Sequence, residues 1–203
     1  MTRGLLIVVS GPSGAGKGTL CQALLARNRD LRFLVSATTR PARVGEVDGV
    51  HYSFWSEARF AEAVTQGYFL EWARVYGNLY GTPVAEVEKS IQAGVDLLLD
   101  LDIQGARQVK QNMPDTTLVF ILPPTLEALS DRIARRATET EEERRLRLGA
   151  AVDFVRAAEE FDYIVVNDYL DEAARKLEAI IIAERCRTSR QMEAVRRLIG
   201  SRE

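Results

Sequence analysis

The stretch that decides the fold is LLIVVSGPSGAGKGTL, Leu5 to Leu20. Its apolar run, Leu5 to Val9, has no polar alternation, as a strand buried on both faces requires. Gly11 and Gly16 then frame four residues (Pro12, Ser13, Gly14, Ala15), Lys17 follows, and a helical pattern begins at Thr19 and runs to Ala26 with Leu20 and Leu24 four apart. Strand, Gly-rich turn and helix in that order form a phosphate-binding loop. The glycines let consecutive N–H groups converge on an anion, the helix N-terminus adds favourable potential, and Lys17 supplies a movable charge. A Gly-rich turn beside a surface lysine is the plain alternative, and the flanking strand and helix disfavour it. One feature departs from the usual pattern: Gly18 stands where a metal-binding hydroxyl is expected, so Thr19 is the nearest substitute.

Working outward, LLLDLD (Leu97 to Asp102), TLVFIL (Thr117 to Leu122) and YIVVN (Tyr163 to Asn167) repeat the buried-strand signature. Helical patterns occupy Val84 to Ala93, Thr125 to Arg136, and Asp171 to about Ile199. Alternation of this kind predicts a three-layer α/β fold with a parallel core sheet and right-handed crossovers. Ser36 to Pro83, rich in Gly, Arg and aromatic residues, is too long for a simple connection and reads as an inserted subdomain. Arg135 to Gly149 is strongly charged, with Thr140 and Glu143 at capping-box spacing, and reads as a surface flap. The organisation expected is one domain: core 1–35, 84–128 and 161–203, insertion 36–83, lid 129–160.

The totals set bounds. A chain of 203 residues, 46% hydrophobic, can bury one substantial core. A net charge of -2 argues against bulk capture of a nucleic acid polymer, although local arginine clusters can still hold small phosphates. The cysteines, Cys21 and Cys186, lack metal-ligand spacing and read as thiols in a reducing compartment. Leu5–Val9 reads as a strand rather than a signal sequence, and no other apolar run has spanning length, so no membrane association and a cytoplasmic location are expected.

Beyond the loop, SATTRPARVGEVDGVHY, EWARVYGNLYGT, LLLDLDIQGA, the charged flap and YIVVND follow in order, and together they resemble the guanylate kinase family. The resemblance implies a P-loop kinase with a parallel sheet core, a GMP-binding insertion and a helical, arginine-bearing lid. It implies that Gly11 to Thr19 and Arg132 bind ATP. Glu71, with Ser36 and Thr82, would read guanine with help from Asp100, while Arg40, Arg43, Tyr52 and Tyr80 would hold the GMP phosphate. Two guanidinium forks and two phenols suit a dianionic monophosphate. Asp102, near the end of a strand and on the same face as Asp100, would lie with Thr19 near Mg2+; a helix cap is the competing role for it. Without the family, Arg40 and Arg43 read equally well as solvated loop charges. Trp72 reads as a core aromatic, and His51 as a loop or packing residue.

In the flap, the resemblance places Arg136 and Arg147 on the family's catalytic arginines, with Arg135 an equal candidate for the first. Glu143 and Arg147, four apart, also read as an ordinary helix-stabilising pair. The implied reaction is reversible, Mg2+-dependent transfer of the ATP γ-phosphate to GMP. The acceptor phosphate loses its second proton near pH ~6, so no general base is needed, and the chain's single histidine is no obstacle. Closure of insertion and lid would keep water from the γ-phosphate. A kinase of another nucleoside monophosphate, or a guanylate-kinase-like peptide-binding module, are the competing readings; the base-reading residues disfavour the first, and the intact loop and arginines the second. The sequence identifies no residue that reads the ribose 2'-OH, which leaves dGMP open as an acceptor. The charged C-terminal stretch reads as a solvated face and leaves a homo-oligomer open.

Overall fold

The computed structural model describes residues 3–75, 77–134 and 155–200. Its centre is a five-stranded sheet in the order β2-β7-β1-β8-β9, built from β1 (Leu6–Ser10), β2 (Leu31–Phe33), β7 (Asp96–Asp100), β8 (Thr117–Leu122) and β9 (Tyr163–Val166), with every pairing parallel. β1 lies in the middle, and its residues alternate between two cores. Ile7 and Val9 pack with Leu20 and Leu24 of α1 (Lys17–Arg27) and Leu177 of α6 (Leu170–Arg185). Leu6 and Val8 pack with Val87 of α3 (Val84–Gln92) and Val109 of α4 (Ile103–Asn112). Both faces are covered, which is why the strand carries no polar alternation.

A second sheet, in the order β4-β3-β6-β5, lies between β2 and α3 in the chain: β3 (Ala37–Thr38), β4 (Ser53–Phe54), β5 (Phe69–Val75) and β6 (Asn78–Pro83). Helix α2 (Glu57–Thr65), capped by the Ser56 hydroxyl, seats Phe60 on Ala37 and Leu79 with Trp55 and Phe69 around it. This small core ties to the large one through main chain. The Gln108 amide on α4 accepts from the Trp72 N–H at 3.2 Å and donates to the Trp72 carbonyl at 2.9 Å, and Asn112 donates to the Leu70 carbonyl at 2.7 Å. Two side chains of α4 thus hold β5 much as a neighbouring strand would.

Three expectations from sequence need correction. Trp72 is 41% exposed rather than a core aromatic. A register shift between Phe69 and Glu71 leaves both Leu70 and Glu71 buried, and strand alternation then turns Trp72 outward. The C-terminal helix is two helices, α6 and α7 (Thr188–Ile199), because Arg187 is extended with ψ 136°. Gln191 caps the break by donating to the Arg185 carbonyl at 2.8 Å. Strand β7 stops at Asp100, so Asp102 does not continue it; its carboxylate caps α4 by accepting from the Gly105 N–H at 2.8 Å. The segment between α5 (Leu126–Ala134) and the short 3-10 turn Ala157–Glu160 carries Arg135, Arg136, Glu143 and Arg147, which lie outside the described residues. Among the described residues no helix is long and apolar enough to cross a membrane.

Candidate active site

The loop from Gly11 to Gly16 leaves the carboxyl end of the central strand and turns into α1, whose N-cap is Gly16. Two glycines are needed there for backbone reasons. Gly11 has φ 147° and Gly16 has φ 86°; a Cβ on the first would sit 2.3 Å from the Ile121 carbonyl oxygen, and on the second 2.5 Å from the Asn167 amide. The first-turn N–H groups of α1 have no partner within the helix, and no side chain caps them at Gly16. Lys17 Nζ donates to the Gly11 carbonyl at 2.8 Å and lies 3.5 Å from the Pro12 carbonyl and 4.0 Å from Asp100 Oδ1. The lysine is thus folded over its own loop, beside the place a phosphate would occupy. Gly18 has open space around it, since a Cβ there would meet nothing within 4 Å, and Thr19 is exposed on the same turn.

Asn167 braces this loop from the end of β9. It is buried, and its amide donates to the Ala15 carbonyl at 2.8 Å, while Arg132 on α5 donates to the Asn167 carbonyl at 3.1 Å. Gly14, Gly16, Thr19, Arg132, Asp168 and Leu170 line a cavity of about 320 Å³ next to them. Arg132 is therefore where a nucleotide seated on the loop would meet it. Sequence reading does not single out Asn167; its place directly after an apolar strand is the available signal.

Across the cleft, Glu71 on β5 is 3% exposed. Thr82 on β6 donates to Glu71 Oε1 at 2.6 Å, and the Ser36 hydroxyl lies 3.4 Å from that of Thr82. Burial pushes the Glu71 carboxyl up to about 7; the Thr82 hydroxyl opposes this, and the Asp102 charge adds to it. Gly105 makes room for it: a Cβ there would lie 2.6 Å from Glu71 Oε2 and 3.3 Å from Asp102 Oδ1.

A second group on this side gathers the residues expected at a phosphate. Tyr52 and Tyr80 stand edge to face with ring centres 5.9 Å apart, and the Arg40 guanidinium lies 5.5 Å from the Tyr52 ring centre. Arg40 is engaged by Glu46, a residue that sequence reading does not select. Arg43 is exposed, and its N–H donates to the same carboxylate. Asp100 stands between the two sides: burial raises its carboxyl while Lys17 opposes, and its charge acts with burial to raise the Tyr52 phenol. Asp100 is thus the carboxylate beside Lys17, and the charge of Asp102 reaches Glu71. His51 is an exposed loop residue, its Nδ1 accepting from the Val47 N–H at 3.0 Å.

A parallel sheet with a glycine loop at its carboxyl edge, a helix N-terminus behind it and an arginine-lined cavity beside it defines a P-loop nucleotide-binding protein. Comparison with known proteins narrows this. The guanylate kinase family model matches residues 3–184, so the chain belongs to the guanylate kinase family and is a kinase. It is 49% identical over 191 residues to the guanylate kinase of Caldanaerobacter subterraneus subsp. tengcongensis, covering 94% of this chain and 93% of that one. To the guanylate kinase of Symbiobacterium thermophilum it is 51% identical over 193 residues, covering 95% and 92%. The crystal structure of guanylate kinase from Anaplasma phagocytophilum superposes with TM-score 0.77 at 33% identity, covering 94% of this chain and 90% of the other.

Proposed function

We propose that the chain transfers the γ-phosphoryl group of ATP to GMP, reversibly and with Mg2+, giving ADP and GDP in the purine nucleotide metabolism of the cytoplasm. The observation that carries the acceptor's identity is the buried Glu71 carboxylate with hydroxyls beside it. Guanine offers N1–H and N2–H donors next to the O6 acceptor, and a carboxylate facing the donors with a hydroxyl facing O6 completes that pattern. Adenine presents a lone pair where guanine has N1–H, so the same carboxylate repels it. Thr82 commits its one hydroxyl proton to Glu71, which leaves the Ser36 hydroxyl to donate to O6.

The acceptor phosphate then falls to Arg40, Arg43, Tyr52 and Tyr80, and the donor phosphates to the loop from Gly11 to Thr19. Lys17 exchanges the Gly11 carbonyl for a phosphate oxygen, a short swing that keeps it near Asp100. Arg132 flanks the donor nucleotide, and we assign Arg136 and Arg147 to charge stabilisation of the moving group. Thr19 and an aspartate at the end of β7 fit Mg2+. Among the described residues no group of three or more His, Cys, Asp or Glu could hold an ion alone, and Mg2+ is usually bound by one or two carboxylates together with substrate phosphates. Asp100, nearer the loop, suits this better than Asp102, whose Oδ1 is engaged in the α4 cap. When bound, Mg2+ neutralises charge on the donor phosphates.

The test is ADP formation from Mg-ATP by the purified chain with GMP, AMP, UMP or no acceptor. GMP should be used, and AMP should be slower by roughly 10⁴ to 10⁵, because a mismatched base leaves the buried polar groups unpaired. Comparable turnover of AMP would overturn the base assignment.

A further inference from the structure

The acceptor side contains a carboxylate that the mechanism above leaves without a role. Glu46 follows Gly45 in the connection between β3 and β4, and it meets Arg40 with both oxygens. Arg40 Nη1 donates to Oε2 and Nη2 to Oε1, each at 2.9 Å, and the Arg43 N–H adds a bond to Oε2 at 2.7 Å. Arg40 Nη1 also donates to the Pro41 carbonyl at 2.7 Å. The two side chains are only 12% and 18% exposed. These bonds hold the Glu46 carboxyl down at about 2, so it stays ionised wherever the protein is folded and working.

A guanidinium carries its five N–H groups in a fixed planar fork, and oxyanions bind it two N–H groups at a time. Glu46 and Pro41 occupy the end formed by Nη1 and Nη2. The edge those two leave is Nε–H with the second N–H of Nη2, which can also take an oxyanion in bidentate fashion; the Tyr80 hydroxyl, expected at the same phosphate, also hydrogen-bonds Arg40. The plane of the guanidinium is set from the occupied end, and the rings of Tyr52 and Phe54 lie against it at 5.5 and 5.8 Å.

We propose that Glu46 is a positioning residue of the acceptor site: by clamping one end of Arg40 and the N–H of Arg43, it turns the remaining edge of Arg40 toward the phosphate of the nucleoside monophosphate. The inference rests on the reading of Arg40 as a phosphate ligand. It has a physical rival with the opposite sign. If Glu46 were instead a resident anion that the incoming phosphate displaces, removing its charge would free Arg40 and tighten binding.

Equilibrium binding of GMP and of guanosine to the full chain separates these cases, measured for wild type, Glu46→Gln and Glu46→Asp, with the KM for Mg-ATP as a check on the other half of the site. A positioning role predicts that Glu46→Gln weakens GMP on the order of tenfold, the scale of one charge-assisted hydrogen bond. Guanosine affinity and the KM for ATP should stay unchanged, and Glu46→Asp should recover part of the loss. Tighter GMP binding in Glu46→Gln would overturn the proposal in favour of a displaced anion. Equal weakening of GMP and guanosine would overturn it in favour of a purely structural clamp, and unchanged GMP affinity would show that Arg40 needs no positioning. Wild type settles the underlying reading separately: if it binds GMP no more tightly than guanosine, the phosphate site itself is misassigned. If it does prefer GMP and Glu46→Gln keeps that preference, only the role of Glu46 fails.

Discussion

Replacing Glu71 by Gln should stabilise the nucleotide-free protein while impairing it toward GMP. The carboxyl ionises near the ordinary 4.5 in the unfolded chain and near about 7 in the fold, because it is buried. Between those values the folded protein holds a proton that the unfolded chain has released, so stability falls as pH rises through the window and is level above it. At about 1.4 kcal/mol for each pH unit, the deficit is about 3 kcal/mol at pH 8. Gln keeps the shape and can still accept from Thr82, so it removes the deficit without opening a cavity. In a chain of this size about 3 kcal/mol corresponds to at most roughly 6 to 12 °C in Tm at pH 8, shrinking to nothing near pH 4.5. Toward guanine the amide offers one acceptor where the carboxylate offered two charged ones, and it turns a donor against a donor. That should lower kcat/KM for GMP by roughly 10² to 10³, the worth of a charge-assisted pair plus an unpaired buried group. The KM for ATP should not move. Guanosine is the cleanest ligand for the pH arm, since it has no phosphate to titrate. Its affinity for wild type should fall below about pH 7, where Glu71 protonates, and should be flat in Glu71→Gln. A lower Tm for Glu71→Gln at pH 8, or equal losses for ATP and GMP, would refute the reasoning.

Other perturbations follow from the same geometry. Gly18→Ser should fold and stay active with a stability gain of about 0.5 kcal/mol, since nothing lies within 4 Å of its Cβ and Ser is the better helix former; a thermal melt and turnover assay check this. Gly105→Ala should raise the KM for GMP at least tenfold with little change for ATP, because the new methyl would displace Glu71 Oε2 from 2.6 Å; steady-state kinetics with each substrate varied in turn would reveal it. Asn167→Ala should destabilise by about 1 to 3 kcal/mol and weaken ATP rather than GMP, as the Ala15 carbonyl loses a buried donor and the loop its brace; urea unfolding and ATP binding measure the two effects.

The core was legible because its signals are local. Buried parallel strands show as apolar runs, and the glycine spacing marks the loop, so β1, α1, β8 and β9 could be read directly. Helix α4 was readable in principle, with Asp102 as its cap and Ile103, Ala106 and Val109 three apart, but reading LLLDLD as one strand absorbed its start. The same merger hid that Asp102 caps α4 and that its charge reaches Glu71. Trp72 misled because hydrophobicity says nothing about which side of a bulged strand a residue takes. Side-chain pairings were the least visible: nothing in GEVDG marks Glu46 as the partner of Arg40 six residues earlier, and nothing in QVKQN says that Gln108 and Asn112 bind main chain more than thirty residues away. The proposed base-reading site was legible only through the family resemblance; the structure adds a buried Glu71 carboxylate with one oxygen held by Thr82.

The most direct measurement follows the phosphoryl group itself. ATP labelled in its γ-phosphate is incubated with the chain, Mg2+ and GMP, and the products are separated. Label is expected in the β-phosphate of GDP, dependent on GMP, with little in inorganic phosphate. Label released as inorganic phosphate at the same rate with or without GMP would contradict it.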